Sequence, residues 1–152
     1  MQDRANVKII PPLIPMMGLA VGTALHWAWP VSIGRDAVVR TLGAALIMAS
    51  VVLVLSAARA LVRAKTAFDV RRTTTHLVTA GPFRISRNPV YLASILLCWG
   101  VGLCANALFI ALAAVPSASL LCLLVIRREE AYLHAKFGGE FAAYCGAVRR
   151  WV

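Results

Sequence analysis

From Val90 to Ile126 the chain carries no charged side chain. A single helix of that length would run about 55 Å at 1.5 Å per residue, against a bilayer hydrocarbon core of about 30 Å. The segment must therefore fold back on itself. Asn106, its one amide side chain, sits near the middle and places the reversal at Cys104-Ala105-Asn106. Pro116 should kink the helix that follows.

Two earlier apolar runs, 9–31 and 41–62, each approach the roughly 20 residues needed to cross a bilayer. Ser32-Ile33-Gly34-Arg35-Asp36 between them is short and turn-like, which predicts an antiparallel hairpin. The fold class expected is an all-α integral membrane protein with about four transmembrane helices, a single membrane domain spanning at 9–31, 41–62, 90–104 and 107–126. Hydrophobic residues make up 61% of the 152, above the roughly 45–50% of soluble domains, and the mean hydropathy is +0.78. Pro11, Pro12 and Pro15 break the start of the first run, so it reads as a retained span and not a cleaved signal.

Lys and Arg outnumber Asp and Glu by 16 to 6. The apolar runs leave no soluble module to present such charge to nucleic acid, so the anionic membrane face is the expected partner. Arg63, Lys65, Arg71, Arg72, Arg84 and Arg87 populate the loop 63–88, and Arg127, Arg128, Lys136, Arg149 and Arg150 the tail 127–152. Basic residues mark the cytoplasmic side. With an even number of spans, Arg4 and Lys8 fall on that side too, so both termini are expected to be cytoplasmic in an inner (cytoplasmic) membrane.

In the tail, Leu133, Phe137, Phe141, Tyr144, Val148 and Trp151 recur at helical spacing, predicting an amphipathic segment that lies on the membrane or caps the bundle. Gly138-Gly139 makes a hinge or two short helices as plausible as one. The four cysteines, Cys98, Cys104, Cys122 and Cys145, lack paired metal spacing and read as small hydrophobes. Gly18 with Gly22 and Gly100 with Gly102 read as close helix packing. His26 beside Trp27 and Trp29 reads as interfacial, and Tyr132 and His134 as structural.

Two polar clusters stand where a span meets the cytoplasm. One runs from Thr75-His76-Leu77-Val78 through Gly81-Pro82-Phe83 to Arg87-Asn88-Pro89-Val90-Tyr91, and the other is Arg127-Arg128-Glu129-Glu130. Folding the last two spans into a hairpin brings them together at the mouth of a helix pair, a usual ligand position. A simpler account makes Asn88 a helix cap, Pro89 the first helical residue and the arginines interfacial anchors. Glu129 and Glu130 are less easily absorbed, since carboxylates add nothing to such anchoring and cost desolvation there. Consecutive helix residues point about 100° apart, so one glutamate is expected to face the pocket while the other meets solvent or Arg127.

These clusters, with Phe137-Gly138 and Tyr144, resemble the carboxy-terminal half of the isoprenylcysteine carboxyl methyltransferase family, membrane enzymes related to phospholipid N-methyltransferases. The resemblance covers roughly residues 73–151; the first two helices match only as generic spans. It implies an S-adenosylmethionine-dependent methyltransferase without a Rossmann fold. It also implies that Thr75, His76, Leu77, Val78, Phe83, Asn88, Pro89, Val90 and Tyr91 contact the cofactor and that Glu129 is its acidic ligand. Asn88 stands where many members carry His, and its Asn-Pro-x-Tyr setting resembles the phospholipid N-methyltransferase branch. Val125 stands where the carboxyl methyltransferases carry a substrate-binding arginine, a role Arg127 or Arg128 would take over. The catalytic pair expected on this basis is Glu129 and Arg128, acting on a lipophilic acceptor from the bilayer.

The implied roles suit the residue types: carboxylates and amides accept hydrogen bonds from hydroxyl or ammonium groups, and aromatic faces favour a sulfonium cation. In-line methyl transfer needs alignment and exclusion of water more than a covalent nucleophile. The competing classes are a membrane reductase of the steroid-reductase type, whose larger nicotinamide cofactor has little room here, and a non-catalytic membrane scaffold.

Overall fold

The computed structural model describes residues 9–34, 37–66 and 76–152, and every regular element among them is helical. Helix α1 spans Leu13–Ala28, α2 Ala37–Arg63 and α3 Pro89–Cys104. A long helix from Leu108 to Phe137 follows, built from α4 (Leu108–Leu112), α5 (Ala114–Leu121), a π-helical turn (Cys122–Ile126) and α6 (Arg127–Phe137), and α7 (Gly139–Ala147) completes the chain. A 3-10 turn at Gly81–Arg84 precedes α3.

Local chemistry explains the boundaries. Pro30 forces Trp29 out of the helical region (φ −137°, ψ 89°), so α1 stops at Ala28. Pro116 has no N–H for the carbonyl four residues back, Leu112, and α4 ends at that residue, with Ala113 the break before α5. Asn106 takes the left-handed conformation at φ +53° that the reversal after α3 requires. Its Oδ1 accepts the backbone N–H groups of Ile33 and Gly34, both at 2.9 Å. The fourth helix does not stop at Ile126; only its apolar part does, and α6 carries the charged residues beyond it.

Packing departs from the expected hairpin of the first two helices. Helix α3 is central, α2 lies along it, and α1 packs against α4 and α5 and at most marginally against α2. The cause is the small-residue faces. A Cβ on Gly100 of α3 would stand 2.8 Å from Gly43 O of α2, and one on Gly22 of α1 would stand 2.8 Å from Phe109 O of α4. Each glycine therefore lets two backbones approach as no larger residue would. The connection 29–34 crosses over the α3–α4 turn, where Leu108 N–H also bonds Val31 O at 3.1 Å.

The core joins Ile14 of α1, Tyr91, Ile95 and Cys98 of α3, and Leu121, Val125 and Ile126 of the long helix. The outward faces are apolar as well: Met16, Met17, Val38, Leu42, Met48, Val52 and Val115 are exposed. Such a surface is unsuited to water and suited to lipid, and α2 and the long helix are each long and apolar enough to cross a membrane. All four cysteines are free thiols; Cys98 is buried and the other three are partly so.

Candidate active site at the polar end of the bundle

One end of the bundle gathers the start of α1, the end of α2, the start of α3 and the start of α6 around a cavity of about 330 Å³. That volume falls at the lower end of the ~300–1,000 Å³ typical of small-molecule sites. Of the residues expected to contact a cofactor, His76, Leu77, Val78, Phe83, Asn88, Pro89, Val90, Tyr91 and Glu129 all line it. Thr75 lies outside the described residues. Arg128 is exposed and absent from the lining, as is Arg127.

The acidic pair divides its work. Glu129 lines the cavity and accepts a hydrogen bond from Tyr91 Oη at 3.1 Å. Burial, against the opposing effect of that bond, pushes its carboxyl up from 4.5 to about 7, with the neighbouring Glu130 charge adding to the rise. Glu130 borders the cavity too, but it is held by two arginines other than the Arg127 that the sequence suggested. It accepts a two-point contact from Arg150 (Nη2 at 2.6 Å, Nε at 3.1 Å) and a third from Arg87 Nη2 at 3.1 Å. The π-helical turn just before α6, in which Arg127 N–H reaches Cys122 O, sets the rotation that gives each glutamate its direction.

The Arg87–Glu130–Arg150 group belongs to a larger seam between the segment before α3 and the end of the chain. Arg87 N–H donates to Arg149 O at 3.1 Å, Asn88 Nδ2 to Arg150 O at 3.0 Å and Ser86 Oγ to the same carbonyl at 3.3 Å. Asn88 thus precedes Pro89 at the head of α3, yet its side chain makes no capping bond and instead holds the tail. Tyr144 Oη donates to Phe83 O at 2.6 Å, and burial pushes its pKa up to about 12, so it remains a neutral donor.

The tail forms two helices, not one. Gly138 at φ +52° ends α6, and α7 turns back so that Phe141 and Tyr144 are buried, with Leu133 joining them in the cavity wall. The helical periodicity that these residues share in sequence is the signal that they face one partner, and the partner is the cavity. Ile10, Pro11 and Pro12 just before α1, Leu61 in α2 and Thr66 just after it also line it, from stretches that carry no motif.

The resulting chemistry is a largely apolar chamber with a carboxylate that has no basic partner among the described residues. A family model for phospholipid methyltransferase matches residues 38–140 of the 152-residue chain. The chain belongs to the phospholipid methyltransferase family. That membership makes it a membrane-associated protein of a methyltransferase family, and the match spans α2, α3 and the long helix, leaving outside it the start of the chain up to α1 and most of α7, which also border the cavity. No curated protein and no solved structure matches the chain.

Proposed function

We propose that the protein is an S-adenosylmethionine-dependent methyltransferase that crosses the membrane four times and modifies a small lipophilic or lipid-linked acceptor at the cytoplasmic face. The observation that carries this reading is Glu129, a Tyr91-bonded carboxylate in the wall of a largely apolar cavity at the bundle's polar end. A partly secluded carboxylate without a basic partner among the described residues suits a cationic ligand. Phe83, Phe141 and Tyr144 add aromatic surface, which favours a sulfonium.

The bound cofactor supplies an electrophilic methyl group on sulfur. Glu129 receives the ligand's hydroxyl or ammonium hydrogens, and Tyr91 fixes the carboxylate that does so. Asn88 Oδ1 remains an acceptor once its amide nitrogen is committed to Arg150 O. Leu77, Val78, Leu133 and Phe141 exclude water, so alignment of the two reactants supplies most of the rate. A carboxylate acceptor needs no base, whereas an amine or thiol must lose a proton. Asn88 in an Asn-Pro-x-Tyr setting favours the branch that methylates amines, whereas Arg128, exposed on α6 and outside the cavity lining, is given no contact with the ligand.

The four-span topology is supported by the alternating directions of α1, α2, α3 and the long helix, whose cavity-side ends also carry the basic loop and tail. Calorimetry on the detergent-solubilised protein tests the cofactor: S-adenosylhomocysteine should bind and NADPH should not. Preference for NADPH would make the protein a reductase, and binding of neither would make it a scaffold. Mass spectrometry of lipids from cells with and without the protein would then identify the acceptor by a mass difference of one methyl group.

A further inference from the structure

We propose that α7 is a hinged gate of the cavity, which swings outward about Gly138 to admit and release a water-soluble ligand and closes by latching its far end to the segment before α3. The inference rests on the methyltransferase reading above and goes beyond it by assigning the ligand's route between the site and water.

Three features make α7 the movable wall. The first is a bare hinge. Gly138 closes α6 by donating its N–H to His134 O at 2.9 Å and opens α7 by accepting the Ala142 N–H at 3.1 Å, so one residue joins the two helices. Its φ of +52° suits glycine, and a Cβ on Gly138 or Gly139 would meet nothing within 4 Å, so no neighbour blocks rotation there. The second is an uncovered outer face. Phe141 and Tyr144 are buried in the cavity wall, whereas Glu140, Ala142, Ala143, Gly146 and Ala147 of the same helix are exposed. Helix α7 packs against α6 and at most marginally against any other helix. The third is the placing of the latch. Tyr144 Oη bonds Phe83 O, the carbonyls of Arg149 and Arg150 accept from Arg87, Asn88 and Ser86, and the Arg150 guanidinium holds Glu130. These fastenings all sit at the end of α7 away from the hinge or just beyond it. Hydrogen bonds that water can replace have small net stability, so such a latch parts without unfolding the bundle.

A charged cofactor cannot reach the cavity through hydrocarbon. Its route therefore lies at the polar end, between the segment 76–88 and the tail. That segment is the fixed side, because its 3-10 turn packs against α2 and Asn88 leads directly into α3. Helix α7 is the side that yields. Its closure brings Phe141 and Tyr144 back into the wall, so the exclusion of water that methyl transfer needs is completed after the ligand has entered.

The test pins the latch shut on the full chain in detergent. In a variant lacking the four native cysteines, Ile85→Cys and Arg149→Cys place two thiols at exposed positions within two residues of the bond from Arg87 N–H to Arg149 O. A short bismaleimide with a cleavable disulfide then bridges them. Surface plasmon resonance with S-adenosylhomocysteine should show association and dissociation both slowed about tenfold or more by the bridge, with affinity little changed, since a gate retards entry and exit alike. Cleaving the linker should restore both rates. Arg150→Met, which loosens the latch from outside the cavity lining, should speed dissociation several-fold. Hydrogen exchange on the unbridged protein should show the amides of 142–148 exchanging as a group ahead of those of α3. Ligand exchange at the unbridged rate in the bridged protein, or amides in α7 as protected as those in α3, overturns the inference and leaves the methyltransferase reading standing; a wild type that binds no S-adenosylhomocysteine overturns both.

Discussion

Tyr91 Oη stands 3.1 Å from Glu129 Oε2, joining the first turn of α3 to α6 across 38 positions of sequence. The bond orients the one cavity carboxylate that has no basic partner among the described residues. Glu129→Gln keeps the shape and removes the charge. Loss of a charge-assisted bond in a secluded site is worth roughly 1.5–3 kcal/mol, or about ten- to a hundredfold in affinity. Isothermal titration with S-adenosylhomocysteine should show that loss, with Tyr91→Phe showing a smaller one. Wild-type affinity in Glu129→Gln would remove Glu129 from the site.

The same residue sets a pH dependence. In the empty protein burial raises its pKa from 4.5 to about 7. A raised acid holds its proton more tightly folded than unfolded, so its contribution to stability is complete below about 4.5 and is lost as pH rises through about 7. Wild type should therefore lose stability over that window, by roughly 1–3 kcal/mol at one pKa unit per 1.36 kcal/mol, and Glu129→Gln should not. Binding runs oppositely, since a cationic ligand needs the carboxylate: affinity should rise through pH 7 with release of a proton. Thermal melts of both proteins from pH 5 to 8, with titrations in buffers of different ionisation enthalpy, check both signs.

Glu130 should behave differently from its neighbour. Its partners Arg87 and Arg150 tie the segment before α3 to the end of the chain, so Glu130→Gln leaves two half-buried guanidinium groups facing each other. Breaking one partner of such a group costs about 3–5 kcal/mol when fully buried; with Arg150 34% exposed, a loss nearer 2 kcal/mol is expected. The measurements are melting temperature and limited proteolysis, with cleavage appearing beyond Gly138 before the helical bundle is cut. A variant as resistant as wild type would mean that the seam does not depend on this ion pair.

Much of this arrangement was legible in sequence because its causes are local. The charge-free run Val90–Ile126, Asn106 at its centre and Pro116 each mark a length limit or a backbone restriction, and the helices reverse and break at those places. The motif residues around the cavity were legible by resemblance. What escaped is long-range. Nothing near Glu130 in sequence indicates that its partner is Arg150, 20 positions on across the Gly138 turn. Nor does any local signal place α1 on α4 and α5, since that depends on the Gly18–Gly22 face meeting a helix that forms much later in the chain.

Helix packing offers a test at Gly100. A Cβ there would stand 2.7 Å from Ile47 Cγ1 and 2.8 Å from Gly43 O, the second a backbone atom that cannot step aside. Gly100→Ala should therefore separate α2 from α3 and destabilise by about 1–3 kcal/mol, the usual range for overpacking. Gly146→Ala, where a Cβ meets nothing within 4 Å, is the control and should be neutral or slightly stabilising. Equal melting temperatures for the two variants in detergent would show that the close approach is not needed.

Topology supplies the last test, because the composite site requires the loop before α3 and the tail to share a side of the membrane. Ile85 and Ala147 are exposed at the polar end, and Trp29 is exposed at the end of α1 beside the α3–α4 turn. Introduced singly into a variant lacking the native cysteines, Cys at 85 and at 147 should react with an impermeant maleimide only in inside-out vesicles, and Cys at 29 only in right-side-out cells. Basic flanks on the loop and the tail favour the cytoplasmic side for the first two. The described contacts make the outcome stringent: Arg87 N–H to Arg149 O and Tyr144 Oη to Phe83 O cannot form across a bilayer. Labelling of 85 and 147 from opposite faces would break the seam, remove Tyr144 and Phe141 from the cavity, and leave Glu129 without the chamber that gives it a function.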